Sequence, residues 1–392
     1  GGYAGEGAGY PGAFGYLTPD QMDAVYLAPN MSFDFSLIEF QGRTPQEAAA
    51  IWAAEFDDIV SYGDTPMIAF PWHDYGPTEW SFDAQKSRYT LEMFDNFLAY
   101  AHASGTEFVT GQDLAERIAT FQASVLTLSR TDDVITADVV SGDAAGHFAL
   151  DVGAPIVSVA DWYAWDGTQV FLAQGGGVFD ITIGGPAQDV TRLSALPDRA
   201  ELVSLTGDGR DLSAVIDGGG AVSVNLGPDI GTDIVLIQGA AGVTAVTDTG
   251  LDLVLGKGLN TLSVAYVTGD TPGTTASEIM IAGAGDDILF GQGGADVMFG
   301  GAGRDTFVIE LNSAGTVIMD FDPKADSFVL NWSPSSDASP WNKEKEVMKS
   351  FVDYDGGTQL TYGDTFLIDL VGISRSELDK NSFQFGDTFF AS

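Results

Sequence analysis

With 392 residues the chain is long for one domain and comfortable for two to four. Its 16 basic residues against 56 acidic ones give a net charge of −40, which excludes nucleic acid and anionic membranes as partners and opposes compaction unless cations screen it. There is no cysteine, so stability falls to core packing and metal, and no apolar run is long enough for membrane insertion.

No signal peptide precedes the first strands, and the opening GGYAGEGAGYPGAFGY lacks Met; it reads as the interior of a longer chain. Residues 17–120 mix helical periods with short apolar strands. Thr44-Pro45-Gln46-Glu47 is a capping box with Pro at the first helical position, opening a helix to about Tyr62. Pro66–Trp72 is expected as a buried strand, Thr90–Ser104 as a second amphipathic helix, Glu107–Thr110 as a short strand, and Gly111–Thr120 as the start of another helix. That alternation predicts a partial α/β domain over 1–123.

From Ser124 the pattern becomes apolar alternation broken by Gly and Asp turns, which predicts an antiparallel β-sandwich over 124–190. The aromatic residues Trp162, Tyr163 and Trp165 are assigned to its packing. Residues 191–280 read as a degenerate β-solenoid, with Gly-x-Gly-x-Asp at Gly207–Asp211 and Gly-x-Asp at Gly231–Asp233 and Gly250–Asp252, most of them turns. A regular array follows at 281–330 and a C-terminal cap at 331–392. The fold class is thus multidomain and mainly β.

In the array, AGAGDDILF, GQGGADVMF and GGAGRDTFV put Asp287, Asp296 and Asp305 in one phase, with Leu289, Met298 and Phe307 two residues after each. The glycines, among them Gly283, Gly285, Gly294, Gly301 and Gly303, allow tight turns with positive φ; the last three residues of each unit form a strand whose middle side chain points inward. This is similar to the Gly-Gly-x-Gly-x-Asp-x-(apolar)-x repeat of RTX calcium-binding proteins, whose half-turns stack into a parallel β-roll. Units on one edge then lie eighteen residues apart, so Asp287 faces Asp305 across one Ca²⁺, held by hard oxygen ligands. Asp296 has no aspartate partner at that spacing, and Glu278 would complete a second, poorer site. The tail resembles RTX proteins exported by type I secretion machinery, through Ile318, Asp320, Phe321 and Asp326 and the final Asp387-Thr388-Phe389-Phe390. The resemblance implies a secretion signal, an extracellular or cell-surface location, and folding coupled to calcium outside the cell.

The stretch from Leu17 to Arg130 resembles the C-terminal third of polysaccharide deacetylases, through Ala28–Phe35 (APNMSFDF), Phe70–Gly76 (FPWHDYG) and Glu107–Thr110 (EFVT). The resemblance implies that His73 protonates the leaving amine and that Asp34 orients a catalytic group, with Trp72, Tyr75 and Trp80 facing a sugar ring. It also implies an extracellular polysaccharide as substrate and Zn²⁺ or another divalent metal in a full-length parent. The metal-binding motif itself is absent: His73, His102 and His147 are the only histidines, and no pair of them has the His-x-x-x-His spacing. Phe56-Asp57-Asp58 falls inside the first helix, where its carboxylates face solvent. Two functions therefore stand side by side, hydrolysis of acetyl groups by the parent and a non-enzymatic surface or matrix protein, an adhesin or filament subunit stiffened by calcium.

Overall fold

The structure is a computed structural model that describes residues 12–16, 24–27, 31–32, 35–61, 68–70, 72, 90–142, 145–227, 230–247, 249–268, 273–310, 315–331, 344–362, 365–379 and 381–386. It divides into two compact units, Gly1–Ala115 and Glu116–Ser392.

In the first unit β1 (Gly12–Tyr16) and β2 (Ala24–Leu27) pair antiparallel. Residues Phe35–Phe40 form a short π-helical segment ahead of α1 (Pro45–Ser61). The capping box is present: the Thr44 amide donates to Glu47 Oε2 (2.9 Å), and the Glu47 amide donates to Thr44 Oγ1 (3.2 Å). Helix α2 (Leu91–Ala103) is capped by Thr90, whose side chain accepts from the Met93 amide. Trp52, Phe56 and Ile59 on α1 and Phe97 on α2 are buried together, with edge-to-face rings such as Trp52 and Phe70 at 5.7 Å. The strand expected at Glu107–Thr110 is instead irregular backbone leading into α3 (Gly111–Ala123). Thr110 serves as a cap, its Oγ1 accepting from the Asp113 amide.

The second unit begins with the expected antiparallel layers. Strands β3 (Val125–Thr131), β4 (Val134–Val140), β6 (Ile156–Val159) and β8 (Gly176–Ile183) form one sheet in the order β3-β4-β8-β6, and β5 (Ala149–Asp151) pairs with β7 (Gln169–Phe171). Trp165 is fully buried among them, and half-buried Trp162 donates Nε1 to the carbonyls of Ala164 and Phe171.

The solenoid expected over 191–280 is corrected. Here β9 (Arg192–Ala195), β12 (Gly220–Asn225), β14 (Gly242–Thr247) and β15 (Gly250–Leu255) form one antiparallel sheet. Against it lie β10 (Glu201–Gly207), β11 (Leu212–Asp217), β13 (Asp233–Gln238) and β16 (Leu259–Thr268), also antiparallel. The two layers share a core that includes Leu202, Ile216, Val222, Leu253 and Leu262. The chain reverses at Gly207–Asp211, between β10 and β11, and at Gly250, between β14 and β15, because those turns are too short for the crossover that parallel pairing needs.

Parallel pairing starts at β17 (Glu278–Ile281), which is antiparallel to β13 on one side and parallel to β19 (Asp296–Phe299) on the other. β21 (Thr316–Ile318) and β25 (Thr365–Val371) continue that wall. The facing wall is β18 (Ile288–Phe290), β20 (Thr306–Glu310), β22 (Ser327–Asn331) and β26 (Phe383–Gly386), all parallel. Two ladders fill the interior, Met280-Met298-Ile318-Leu370 and Leu289-Phe307-Phe328-Phe383. The inward positions expected of Leu289, Met298 and Phe307 are thus occupied, each with no exposed surface. Instead of a separate cap, the last strands extend the roll; α4 (Glu344–Ser350) packs Val347 into its core, and β23 (Phe351–Tyr354) and β24 (Gly357–Tyr362) complete a ten-stranded sheet from β10 to β23.

Candidate calcium site

The roll's glycine turns bring backbone against backbone. Gly301 (φ 80°) and Gly303 (φ 150°) lie where a Cβ would overlap the carbonyl oxygens of Gly283 and Gly285 one coil away, and Gly294 (φ 87°) meets Ala276 in the same manner. Coil-to-coil hydrogen bonds fix this approach: Ala302 N to Gly283 O at 3.1 Å and Gly285 N to Ala302 O at 2.8 Å.

The acids form a ladder over these turns. The Asp287 amide donates to Asp305 Oδ1 (3.0 Å), the Asp305 amide to Asp326 Oδ1 (2.9 Å), and on the opposite edge the Glu278 amide to Asp296 Oδ1 (3.1 Å). Asp305 and Asp296 are almost fully buried, and Asp305 Oδ2 has no hydrogen-bond partner among the described residues. An ionised carboxylate held this way needs a counter-charge. Burial pushes Asp296 up to about 7, with the Glu278 charge adding to it; burial pushes Asp305 up to about 6, reinforced by Asp326, Asp287 and Asp320. Burial also raises Asp326.

The donor set is carboxylates plus turn carbonyls, which suits Ca²⁺. Among the described residues no three His, Cys, Asp or Glu side chains converge closely enough to hold a metal ion by themselves, so backbone oxygens must supply much of any coordination. Glu278 meets other partners: Thr274 through its amide and its hydroxyl, and Gln238 through Nε2 (3.0 Å). Protein donors therefore occupy the carboxylate expected to complete a second site. Asp320 and Asp326 were legible only as part of the tail pattern. Asp326 lies 21 residues beyond Asp305, so an eighteen-residue spacing test passes over it, while Asp320 accepts from the amides of Gly300 and Gly301.

Residues 272–307 match the family of RTX calcium-binding nonapeptide repeats, in four copies. These are RTX calcium-binding repeats. The RTX match adds one unit to the three regular ones, and its signal in the sequence is Glu278 in the aspartate position. Two solved structures are similar to parts of the chain. The solution structure of the AlgE6R3 subunit of the Azotobacter vinelandii mannuronan C5-epimerase is 27% identical, covering 31% of this chain and 80% of that one with a TM-score of 0.21. The extracellular lipase LipA of Serratia marcescens is 12% identical, covering 46% of this chain and 30% of that one with a TM-score of 0.23. No curated protein matches the chain.

The RTX match does not reach the deacetylase-like stretch. Asp34, His73, Tyr75 and Trp80 lie outside the described residues. Trp72 is half-buried, its ring 5.0 Å from Trp52 and 5.3 Å from Phe94, so it packs in the helical core. The Met31 amide donates to the Ala69 carbonyl (3.0 Å). Asp57 lies on the exposed side of α1 and accepts from the Tyr100 hydroxyl. His102 is on α2 and His147 Nδ1 is 3.2 Å from the Ala200 carbonyl; the described residues offer no zinc site. Among them, no helix is long and apolar enough to cross a membrane.

Proposed function

We propose that this chain is an exported protein whose RTX repeats take up Ca²⁺ between coils outside the cell, and that cation binding completes the fold there. The observation that carries the reading is Asp305, buried between coils with Oδ2 lacking a partner among the described residues. A divalent cation shared with Asp287 and the carbonyls of the Gly283–Gly285 turn offsets that charge. Because only the folded roll assembles these oxygens, binding and folding are one equilibrium. Passage through type I secretion machinery agrees with the lack of cysteine and with folding deferred until calcium is met. Calorimetric titration of the EDTA-stripped chain tests this: heat of Ca²⁺ binding accompanied by a gain of β circular dichroism supports it, and a silent titration ends it.

For residues 17–130 we infer a remnant of a deacetylase acting on an extracellular polysaccharide, supported by the sequence motifs APNMSFDF, FPWHDYG and EFVT. His73 would protonate the leaving amine and Asp34 would orient it. Acetyl hydrolysis belongs to the full-length parent, since no His-x-x-x-His occurs in this chain. Acetate release from acetylated sugar oligomers by that parent, lost in His73→Ala, supports the enzymatic reading. No release leaves the non-enzymatic surface or matrix protein.

A further inference from the structure

Among the described residues, most open sheet edges are short or carry a register shift. The edge strands β6, β9, β10 and β14 each carry a register shift, at Ile156/Ser158, opposite Ser223/Val224, at Leu202/Ser204 and at Val243/Ala245. Such bulges twist an edge away from a would-be neighbour. The edge strand β23 is only four residues long and carries Asp353. Strand β3 has none of these features. It runs seven residues, pairs with β4 without a shift from Val125↔Val140 to Thr131↔Val134, contains no Pro, Lys or acid, and is exposed along its whole length. Leu126 and Leu128 lie on the face of the sheet that elsewhere buries Ala137 and Val139, yet they are 48% and 58% exposed.

We propose that β3 is a homodimerisation edge, pairing antiparallel with β3 of a second copy of this chain. The strand reads VLTLSRT, and a two-fold axis through Leu128 sets Leu128 against itself, Thr127 against Ser129, Leu126 against Arg130 and Val125 against Thr131. Residues opposite one another in an antiparallel pair share a face, so Leu126 and Leu128 of both copies form one apolar strip across an eight-stranded sheet. No acid meets an acid in that register. This decides the occupant: in a chain of net charge −40 most surfaces repel a second copy, and an acid-free, self-complementary edge is where two can meet. The contact is isologous and closes at two copies, avoiding open-ended growth.

Sedimentation equilibrium of the whole chain in calcium tests the proposal. A concentration-dependent dimer is expected below about 100 µM, tightening as NaCl rises from about 0.05 to about 0.5 M because salt screens the remaining acid repulsion. Leu128→Lys places two ammonium groups across the axis and weakens the dimer by about tenfold or more. Should that variant misfold, Leu128→Cys gives an independent reading: in a chain with no native cysteine it should crosslink to itself under mild oxidation, whereas Val246→Cys on bulged β14 should not. A wild-type monomer at every concentration overturns the proposal, whichever other partner the edge takes. So does a dimer that survives Leu128→Lys and leaves the Leu128→Cys variant uncrosslinked.

Discussion

The antiparallel layers at 201–268 and the roll at 273–331 share one sheet and one turn vocabulary, but they treat their aspartates in opposite ways. At the β10–β11 turn, Asp208 Oδ1 accepts from the amides of Arg210 and Asp211, and Asp211 Oδ1 accepts from the Tyr266 amide. Asp252 takes the Ser223 hydroxyl, and Asn260, standing where an aspartate would be, donates to the carbonyls of Gly218, Gly256 and Gly258. In the roll, Asp287, Asp305 and Asp326 follow one another from coil to coil. The difference comes from strand direction. The antiparallel layers give each of these aspartates a donor from its own turn or from a neighbouring strand, whereas in-register parallel coils also set one aspartate over the next, and stacked carboxylates favour a cation between them. The proposed calcium site therefore depends on strand direction as well as on the Gly-x-Gly-x-Asp motif.

The sharpest way to break that comparison is to cut the roll's core while leaving its acids intact. Phe328→Ala, in the ladder between Phe307 and Phe383, should cost about 3–5 kcal/mol. Chemical denaturation in saturating calcium measures it, and a loss below about 1 kcal/mol would mean the ladder is not packed as described. Calcium removal comes next. At a free concentration of about 100 times Kd the cation contributes about 2.7 kcal/mol, so EDTA should raise hydrogen exchange across 282–308 far more than across 201–268 or the helices of the first unit. Equal exchange in the two β regions would erase the distinction.

Substituting the acids sharpens it further. Asp287→Ala and Asp305→Ala should weaken calcium binding alike because they share an ion, while Asp208→Ala should leave calorimetric affinity unchanged and cost about 1 kcal/mol through its lost turn bonds. Calcium binding like the parent's in both roll variants would place the site elsewhere.

The smallest effect is in pH. In the calcium-free protein Asp296 and Asp305 sit near 7 and 6 against an ordinary 3.8, so the folded state holds protons that the unfolded state releases. Their contribution is fully present below about 3.8 and is lost as pH rises through 6 and 7. With calcium the order inverts, since binding must expel those protons. The gap in Tm between calcium-loaded and stripped protein should therefore widen from pH 5 to pH 8; a constant gap would contradict the buried ladder.

Local chemistry made much of this visible in advance. The box at Thr44 marks a helix start because a cap is settled within four residues, and the nine-residue phase of Asp287, Asp296 and Asp305 marks the coils because each coil repeats the same turn. The pairing of β13 with both β16 and β17, the 21-residue step from Asp305 to Asp326, and the capture of Glu278 by Thr274 and Gln238 depend on segments far apart in the chain. Periodicity in a sequence specifies a repeating backbone and which side chains face inward. Whether a carboxylate also lies over the carboxylate of the next coil was decided only when the coils stacked, because that outcome depends on which strand lies alongside and in which direction it runs.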